Sequence, residues 1–516
     1  MPSNILRPLN AWATRQPDAA AIECGGAQLS WQELDSAAAR AAAELVAHGV
    51  SHGDRVAIIG RSSTTWAATA LGVLKLGAII CPLNERNGPA EIGPAVEQLE
   101  PRVVISAAHA RTAVETALSE TSVQFPILDL EQIGNSSTAI VALPKLQSAG
   151  TDPVCILSTS GSTGHPKGVV YTHESLLSAF FEWCLQEPSF MRARSLNVSS
   201  MSFAAGLLNG FLGPLTLGGS SVFLPDWDPS VALALIRDCK ITHLGATTIF
   251  YEQMAAIPEF ASADLSSLTV AFTGGNPVTV ELIRAWSDKG VGLRQVYGLT
   301  ESQSNATIPS VDMALNQPDS VGLGGVLNEF MIADANGTLC APDTPGEILI
   351  SGPGVAAGYW RNDELTKANF EGGWLHTGDI GTRDASGAIR IVGRIKDVII
   401  SGGMNIYAAE IERVIMEIPG ILEVAVIGVP DDSFGETPAV LLRAAGSLTA
   451  EAVVEHCRAR LARYKSPRYV EFLTDPLPRT AGMKINKAPL RVQFNDLPQR
   501  AAQVSPRHLE TSDRLS

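Results

Sequence analysis

A chain of 516 residues is too long for one hydrophobic core, so two or more domains are expected. Its hydrophobic share, 45%, is that of an ordinary globular protein. The balance of 53 acidic to 38 basic side chains, net −15, argues against a nucleic-acid or anionic-membrane surface. Any polyanionic ligand would then need a local basic patch or a metal.

Residues 1–16 lack the apolar core of a signal peptide. Ser30-x-x-Glu33 reads as a capping box ahead of an alanine-rich helix that Gly49 stops. Residues 55–60 read as a buried strand, 64–76 as a helix and 78–82 as a strand. A helical stretch from Pro89 then leads to a strand at 102–107. Apolar runs at 154–157 and 169–171 read as strands flanking a polar loop. The alternation resumes with strands at 221–224, 242–246, 269–273 and 294–296, and a helix at 229–238. Such alternation predicts a parallel sheet with helices on its faces. Two apolar stretches do not read as membrane spans. Residues 66–83 contain Lys75, Gly77 and Pro82, and 204–225 are interrupted by five glycines and Pro214.

From about Ser320 the pattern changes to short strands with turn signals. Asn336-Gly337 lies between 329–333 and 347–351, and 384–387 precede 389–392, which predicts hairpins in a β-rich subdomain. Beyond Gly393-Arg394, elements at 398–401, 408–417, 422–428, 439–444, 449–463 and 469–473 predict a compact α+β domain. Residues 495–516 are polar and without period, and read as a disordered tail. The expected division is 1–394, 395–494 and 495–516. Seven scattered cysteines with no Cys-x-x-Cys favour a reducing compartment, and the cytoplasm is the expected location.

The most informative stretch is Ser158-Thr159-Ser160-Gly161-Ser162-Thr163-Gly164-His165-Pro166-Lys167-Gly168. Hydroxyls, backbone N–H groups and glycines make an anion cradle, and Lys167 adds a charge suited to phosphate. It is not a Walker A loop, which needs Gly-Lys-Ser/Thr opening a helix. Gln295-Val296-Tyr297-Gly298-Leu299-Thr300-Glu301 follows a predicted strand, where α/β sheets place ligands. Glu301 suits Mg²⁺ and Thr300 a phosphate oxygen; a Gly-containing turn with a solvated Glu is the plainer reading. Thr273-Gly274-Gly275-Asn276-Pro277 would let a flat ring lie against backbone, or be a simple turn. In Trp374-Leu375-His376-Thr377-Gly378-Asp379 the carboxylate suits two vicinal ribose hydroxyls. Gly393-Arg394-Ile395-Lys396-Asp397 falls on the expected domain boundary, and Ser401-Gly402-Gly403-Met404-Asn405 is a second Gly-rich turn. Pro478-Arg479-Thr480-Ala481-Gly482-Met483-Lys484 sets a lysine in a late loop.

In this order and at these separations, the clusters resemble the ANL superfamily of adenylate-forming enzymes, over nearly the whole chain to about Arg491. The resemblance implies an α/β fold: a large N-terminal domain of two sheet-helix lobes plus a β subdomain, and a small mobile α+β C-terminal domain. It implies that Thr159, Ser160, Gly161, Ser162, Thr163, Gly164 and Lys167 embrace the phosphates of ATP. Gly275, Asn276, Pro277, Tyr297 and Gly298 would line the adenine or acyl pocket, with Gln295 nearby. Thr300 would touch phosphate, Glu301 would bind Mg²⁺, and Asp379 with Arg394 would take the ribose. Lys396 would be the hinge, Lys484 the lysine of the adenylation transition state, and Gly402-Gly403 would flank a tunnel for the CoA thiol.

The implied activity is that of an acid:CoA ligase acting on an aromatic or medium-chain acid, with ATP, Mg²⁺ and coenzyme A. A stand-alone enzyme loading a carrier protein is the alternative. A luciferase-like oxygenase and a non-catalytic binding protein on the same fold are more remote. No nucleic-acid partner or integral membrane segment is expected, and a homo-oligomer is compatible with the sequence. Two departures stand out. Phe203 occupies the place of a histidine common in acyl-CoA synthetases, so it can act only as a gate or wall of the acid pocket. Glycine stands at 482 and Met483 precedes Lys484, where the family usually has Gly-Lys; Lys487 is the other candidate.

Overall fold

The computed structural model describes residues 4–121, 124–134, 149–160, 166–275, 278–479, 484–501 and 503–504. The chain forms two compact units. One comprises Met1–Met331, Leu349–Thr377 and Gly387–Ile389; the other comprises Ile332–Ile348, Gly378–Ser386 and Arg390–Ser516.

The larger unit is built on two seven-stranded sheets. The first runs Leu293–Gln295, Val270–Gly274, His243–Thr247, Arg194–Asn197, Ser220–Phe223, Ala20–Cys24, Ala27–Ser30. The second runs Gly358–Tyr359, Pro166–Thr172, Pro153–Ser160, Ile79–Leu83, Arg55–Ile59, Val103–Ser106, Ile127–Asp129. Most pairs are parallel, as the alternation predicts, but each sheet has an antiparallel end. Gly25 and Gly26, both at positive φ, join Ala20–Cys24 to its antiparallel neighbour. Pro153–Ser160 and Pro166–Thr172 are also antiparallel. A five-residue link cannot make the dozen-residue crossover that parallel strands need.

The helix Trp31–Ala47 starts as expected: Ser30 Oγ accepts from Glu33 N at 3.2 Å, and Ser30 N donates to Glu33 Oε2 at 2.8 Å. It packs on the helix Thr64–Lys75 at close range. A Cβ at Gly72 would lie 2.9 Å from the Ala38 carbonyl and 2.9 Å from the Ala41 methyl. Alanines along the first helix and glycine on the second thus set their separation.

The stretch from Ala204 holds an unexpected element, a π-helix over Ala205–Leu212. This wide helix is rare and tends to occur at functional positions. Gly206 lies so close to the Ser200 carbonyl that no Cβ fits, and Asn197 Nδ2 donates to the Gly206 carbonyl at 3.2 Å.

The strands Glu329–Ala333, Gly346–Ser351, Leu375–Arg383 and Ile389–Arg394 form a four-stranded sheet in that order, with the expected hairpins. The smaller unit contains a five-stranded sheet of Met404–Tyr407, Val398–Ser401, Gly435–Ala444, Ile421–Asp431 and Tyr469–Phe472. The helices Ala408–Met416 and Ala450–Arg458 contribute Ile411, Ile415, Val453 and Cys457 to one core of this unit. Leu477, Leu490 and Leu497 belong to its second core. The start of the expected tail is therefore ordered. Leu497 opens a short helix, Leu497–Arg500, and is fully buried, while residues 505–516 lie outside the described residues. Leu497 and nearby Phe494 are too sparse a signal against the surrounding polarity.

Two predictions follow from this packing. Gly72→Val should lower stability by about 1–3 kcal/mol through overpacking, read as a reduced denaturant midpoint. Acid should also weaken the fold through two buried histidines. Burial pushes the His173 imidazole down to about 4 and that of His243 to about 3. Neutral His173 Nδ1 accepts from Ile5 N at 3.3 Å, and His243 Nδ1 meets Ser195 Oγ at 2.9 Å. Below the unfolded histidine pKa of about 6.5 the unfolded chain binds more protons, so stability falls as pH drops towards 4. The slope should reach about 1.4 kcal/mol per pH unit for each histidine. A denaturant midpoint unchanged between pH 7 and pH 5 would contradict this.

Candidate active site

In the larger unit, the candidate residues lie at strand ends. The residues flanking the Ser/Thr/Gly loop face each other across an antiparallel ladder, Thr159 opposite Lys167. Thr159 Oγ1 donates to the Lys167 carbonyl at 3.4 Å, a long bond. Ser160 has its backbone in the strand; Gly161, Ser162, Thr163 and Gly164 lie outside the described residues. The half-buried Lys167 holds its ammonium 5.5 Å from the centre of the Tyr359 ring.

In the first sheet, Val270–Gly274 and Leu293–Gln295 run parallel, so Gly275 and Tyr297 follow neighbouring strand ends. Gly275 is exposed with φ 87°, a conformation suited to glycine; Asn276 and Pro277 lie outside the described residues. Gln295 Oε1 accepts from Val278 N at 3.3 Å and so ties down the chain just beyond them. Tyr297 is buried and bridges Thr307. At Gly298 a Cβ would collide with the Ser304 carbonyl, so only glycine allows the chain to fold back here. Phe203 is half-buried, and its carbonyl accepts from Gly206 and Leu207 at the entry to the π-helix.

Thr300 and Glu301 occupy a single 3₁₀ turn, Thr300–Ser302, followed by Gln303 and Ser304 at φ 66° and 70°. Two consecutive non-glycine residues in this region are strained, and surrounding contacts hold them there. The fully buried Tyr171 donates its hydroxyl to the Thr300 carbonyl at 2.5 Å and accepts from Gln303 N at 2.6 Å. Tyr359 donates its hydroxyl to Glu301 Oε1 at 2.8 Å. The neighbouring backbone joins in: Ala356 N donates to the Glu301 carbonyl at 2.9 Å and Ala357 N to the Val170 carbonyl at 2.9 Å. Sequence reasoning missed Tyr171 and Tyr359. Their partners lie 129 and 58 residues away, and no local pattern announces such a bond.

In the smaller unit, Asp379 is buried, and the Arg394 guanidinium Nε lies 3.2 Å from its Oδ1. Gly378 takes φ 69° within the strand Leu375–Arg383 and donates its N–H to Glu347 Oε1 at 3.0 Å, immediately before Asp379. Lys396 is exposed, and partial burial of its amine with Arg394 nearby lowers its pKa. Gly402 and Gly403, at φ 60° and 80°, make the two-residue turn between Val398–Ser401 and Met404–Tyr407. This is the backbone a tight hairpin demands. Lys484 is half-buried next to Ile485, which bridges Arg479. Lys487 instead forms an ion pair with Glu412 at 2.6 Å, the two side chains 14% and 21% exposed.

The donor set fits the ligands that the sequence pattern suggests. Among the described residues no three His, Cys, Asp or Glu side chains cluster as a metal cage. Mg²⁺ is commonly held by one or two carboxylates plus substrate phosphates, and Glu301 on its clamped turn offers such an oxygen.

Residues 9–360 match the AMP-binding enzyme family, and residues 410–484 match the AMP-binding enzyme C-terminal domain. The chain belongs to the AMP-binding enzyme family. It is 35% identical to a feruloyl-CoA synthase from Amycolatopsis over 94% of this chain and 99% of that protein. It is 33% identical to a long-chain-fatty-acid–CoA ligase of Mycobacterium tuberculosis, over 91% and 93%. ATP-bound MatB from Rhodopseudomonas palustris superposes with a TM-score of 0.87 at 28% identity, covering 96% of this chain and 100% of that one. The chain is thus an adenylate-forming enzyme of the acid:CoA ligase kind, whose members use ATP, Mg²⁺ and CoA. No helix among the described residues is long and apolar enough to cross a membrane.

If Asp379 grips the ribose, Asp379→Asn should raise the KM for ATP about tenfold or more, the worth of a charge-assisted hydrogen bond. The KM for the acid should move little. Initial rates with each substrate varied in turn provide the check, and equal shifts in both constants would count against the assignment.

Proposed function

We propose that this enzyme activates an aromatic or medium-chain carboxylic acid as acyl-AMP and then converts it to the acyl-CoA thioester. The observation that carries the reading is the clamped turn Thr300–Ser302. It holds a hydroxyl and a carboxylate of adjacent residues in one frame tied to the strand that contains Lys167.

A carboxylate oxygen attacks the α-phosphorus of ATP, the α–β bridge breaks, and pyrophosphate leaves. Both reactants are anions, so the barrier is largely electrostatic. Lys167, Thr300 and the N–H groups of the loop bind and orient the phosphates. Glu301 would hold Mg²⁺, which supplies further charge neutralisation when bound. Asp379 and Arg394 orient the ribose, while Gly275, Asn276, Pro277, Gln295, Tyr297 and Gly298 line the adenine and acyl pocket. Lys484 stabilises the charge that develops in the first step. In the second step the CoA thiolate attacks the acyl carbon and AMP leaves as the carboxyl–phosphate bond breaks. For that step the domain 395–494 turns about Lys396 relative to 1–394 and brings Gly402-Gly403 beside the thiol path.

Support for the acid class comes from Phe203, Ala204, Ala205 and Leu207, an apolar run at the π-helix entry. Relatives named for an aromatic acid, ferulate, and for long-chain fatty acids are in keeping with an aryl or alkyl acid. The seven free thiols suit a reducing cytoplasm.

Lys484→Ala should slow acyl-AMP formation roughly 10²- to 10³-fold while sparing CoA attack on synthetic acyl-AMP. Pyrophosphate release and thioester formation, assayed separately, provide the test; the same split produced by Lys487→Ala would move the role to that residue. A carboxylic-acid panel screened by pyrophosphate release should show its strongest signals with aryl or medium-chain acids, and AMP turnover should require CoA. Robust acyl-AMP formation without thioester at any CoA concentration would favour loading of a carrier protein.

A further inference from the structure

One residue of the larger unit touches both charges assigned to the phosphate end of the site. Tyr359 donates its hydroxyl to Glu301 Oε1 at 2.8 Å, and its ring lies 5.5 Å from the Lys167 ammonium. It is buried and sits on the edge strand Gly358–Tyr359, opposite Val169. Flanking N–H groups bind on both sides: Ala356 to the Glu301 carbonyl at 2.9 Å, Trp360 to the Gly168 carbonyl at 2.7 Å.

We infer that Tyr359 is a positioning residue that holds Glu301 and Lys167 at fixed places and keeps these opposite charges from neutralising each other. An ammonium and a carboxylate at the mouth of one site attract, and their direct pairing would cost each its ligand. Tyr359 satisfies them by different parts of one side chain. The electron-rich face receives the cation and the hydroxyl serves the anion. The hydroxyl bond uses one of about four acceptor positions of the carboxylate, which leaves the others for a metal. This inference rests on the assignment of Glu301 to Mg²⁺ and Lys167 to phosphate.

The test separates hydroxyl from ring. Tyr359→Phe keeps the ring and should raise the Mg²⁺ concentration needed for half-maximal activity about tenfold, with excess Mg²⁺ restoring kcat. Its affinity for metal-free ATP, read by calorimetry, should change less than about twofold. Tyr359→Leu also removes the face and should weaken metal-free ATP binding by a further two- to fivefold, roughly the worth of a cation–π contact. As a measurement independent of folding losses, 3-fluorotyrosine placed at 359 should show a ¹⁹F shift on addition of Mg-ATP, absent with Glu301→Gln. An unaltered Mg²⁺ requirement in Tyr359→Phe, or no ¹⁹F response, overturns the inference provided that Glu301→Gln itself shifts that requirement. If Glu301→Gln leaves the Mg²⁺ requirement unchanged, the metal assignment fails first.

Discussion

An enzyme that joins two anions needs its cationic and metal-holding groups in place before either substrate arrives. Reorganising charges during the reaction would consume the stabilisation they provide. With the roles proposed for Thr300 and Glu301, that constraint falls on one turn, Thr300–Ser302, and on the two tyrosine hydroxyls that hold it. Tyr171 grips its backbone from the strand that follows the phosphate loop, and Tyr359 grips the Glu301 carboxylate from the sheet edge. The positive φ angles of Gln303 and Ser304 show that the turn is not a conformation the chain would choose alone. The sheet pays for it, through Tyr171 at its core and through Gly298, whose missing side chain lets the chain fold back.

The second sheet exists in large part to make this possible. Its antiparallel hairpin sets Thr159 opposite Lys167, and the short strand Gly358–Tyr359 closes its edge. The π-helix would play a comparable part in the proposed acid pocket. Its extra width is tolerated because Asn197 bonds the Gly206 carbonyl, and it leaves Phe203 half-buried at its entry. A net charge of −15 on the chain makes the local cations more telling. In the proposed site Lys167 is set against an acidic background, so specific contacts rather than the protein's overall field would hold the triphosphate.

Much of the fold was legible because its signals are local. Ser30 and Glu33 are three residues apart and form their capping box regardless of the rest of the molecule. Gly402-Gly403 flanked by apolar runs is a hairpin turn on backbone grounds alone. The mixed character of the sheets could have been argued from the brevity of the loop between residues 160 and 166, but alternation suggested parallel strands throughout. The π-helix was not legible, since an apolar, glycine-rich run fits several helices and strands alike. Leu497 failed for a related reason: a single buried leucine in a polar stretch carries no period.

By itself the sequence determined the chemical inventory. Hydroxyls, glycines and a lysine in one loop, a Thr-Glu pair, an aspartate after Thr-Gly and a late lysine each allow a plainer reading singly, and point to adenylate chemistry through their resemblance, in this order, to the adenylate-forming enzymes. Only the tertiary structure decided how those groups are held. Tyr171 and Tyr359 look like ordinary strand residues until folding sets their hydroxyls against Thr300 and Glu301. Hydrogen bonds between residues so far apart in the chain depend on sheet order and strand register, which no short stretch of sequence encodes.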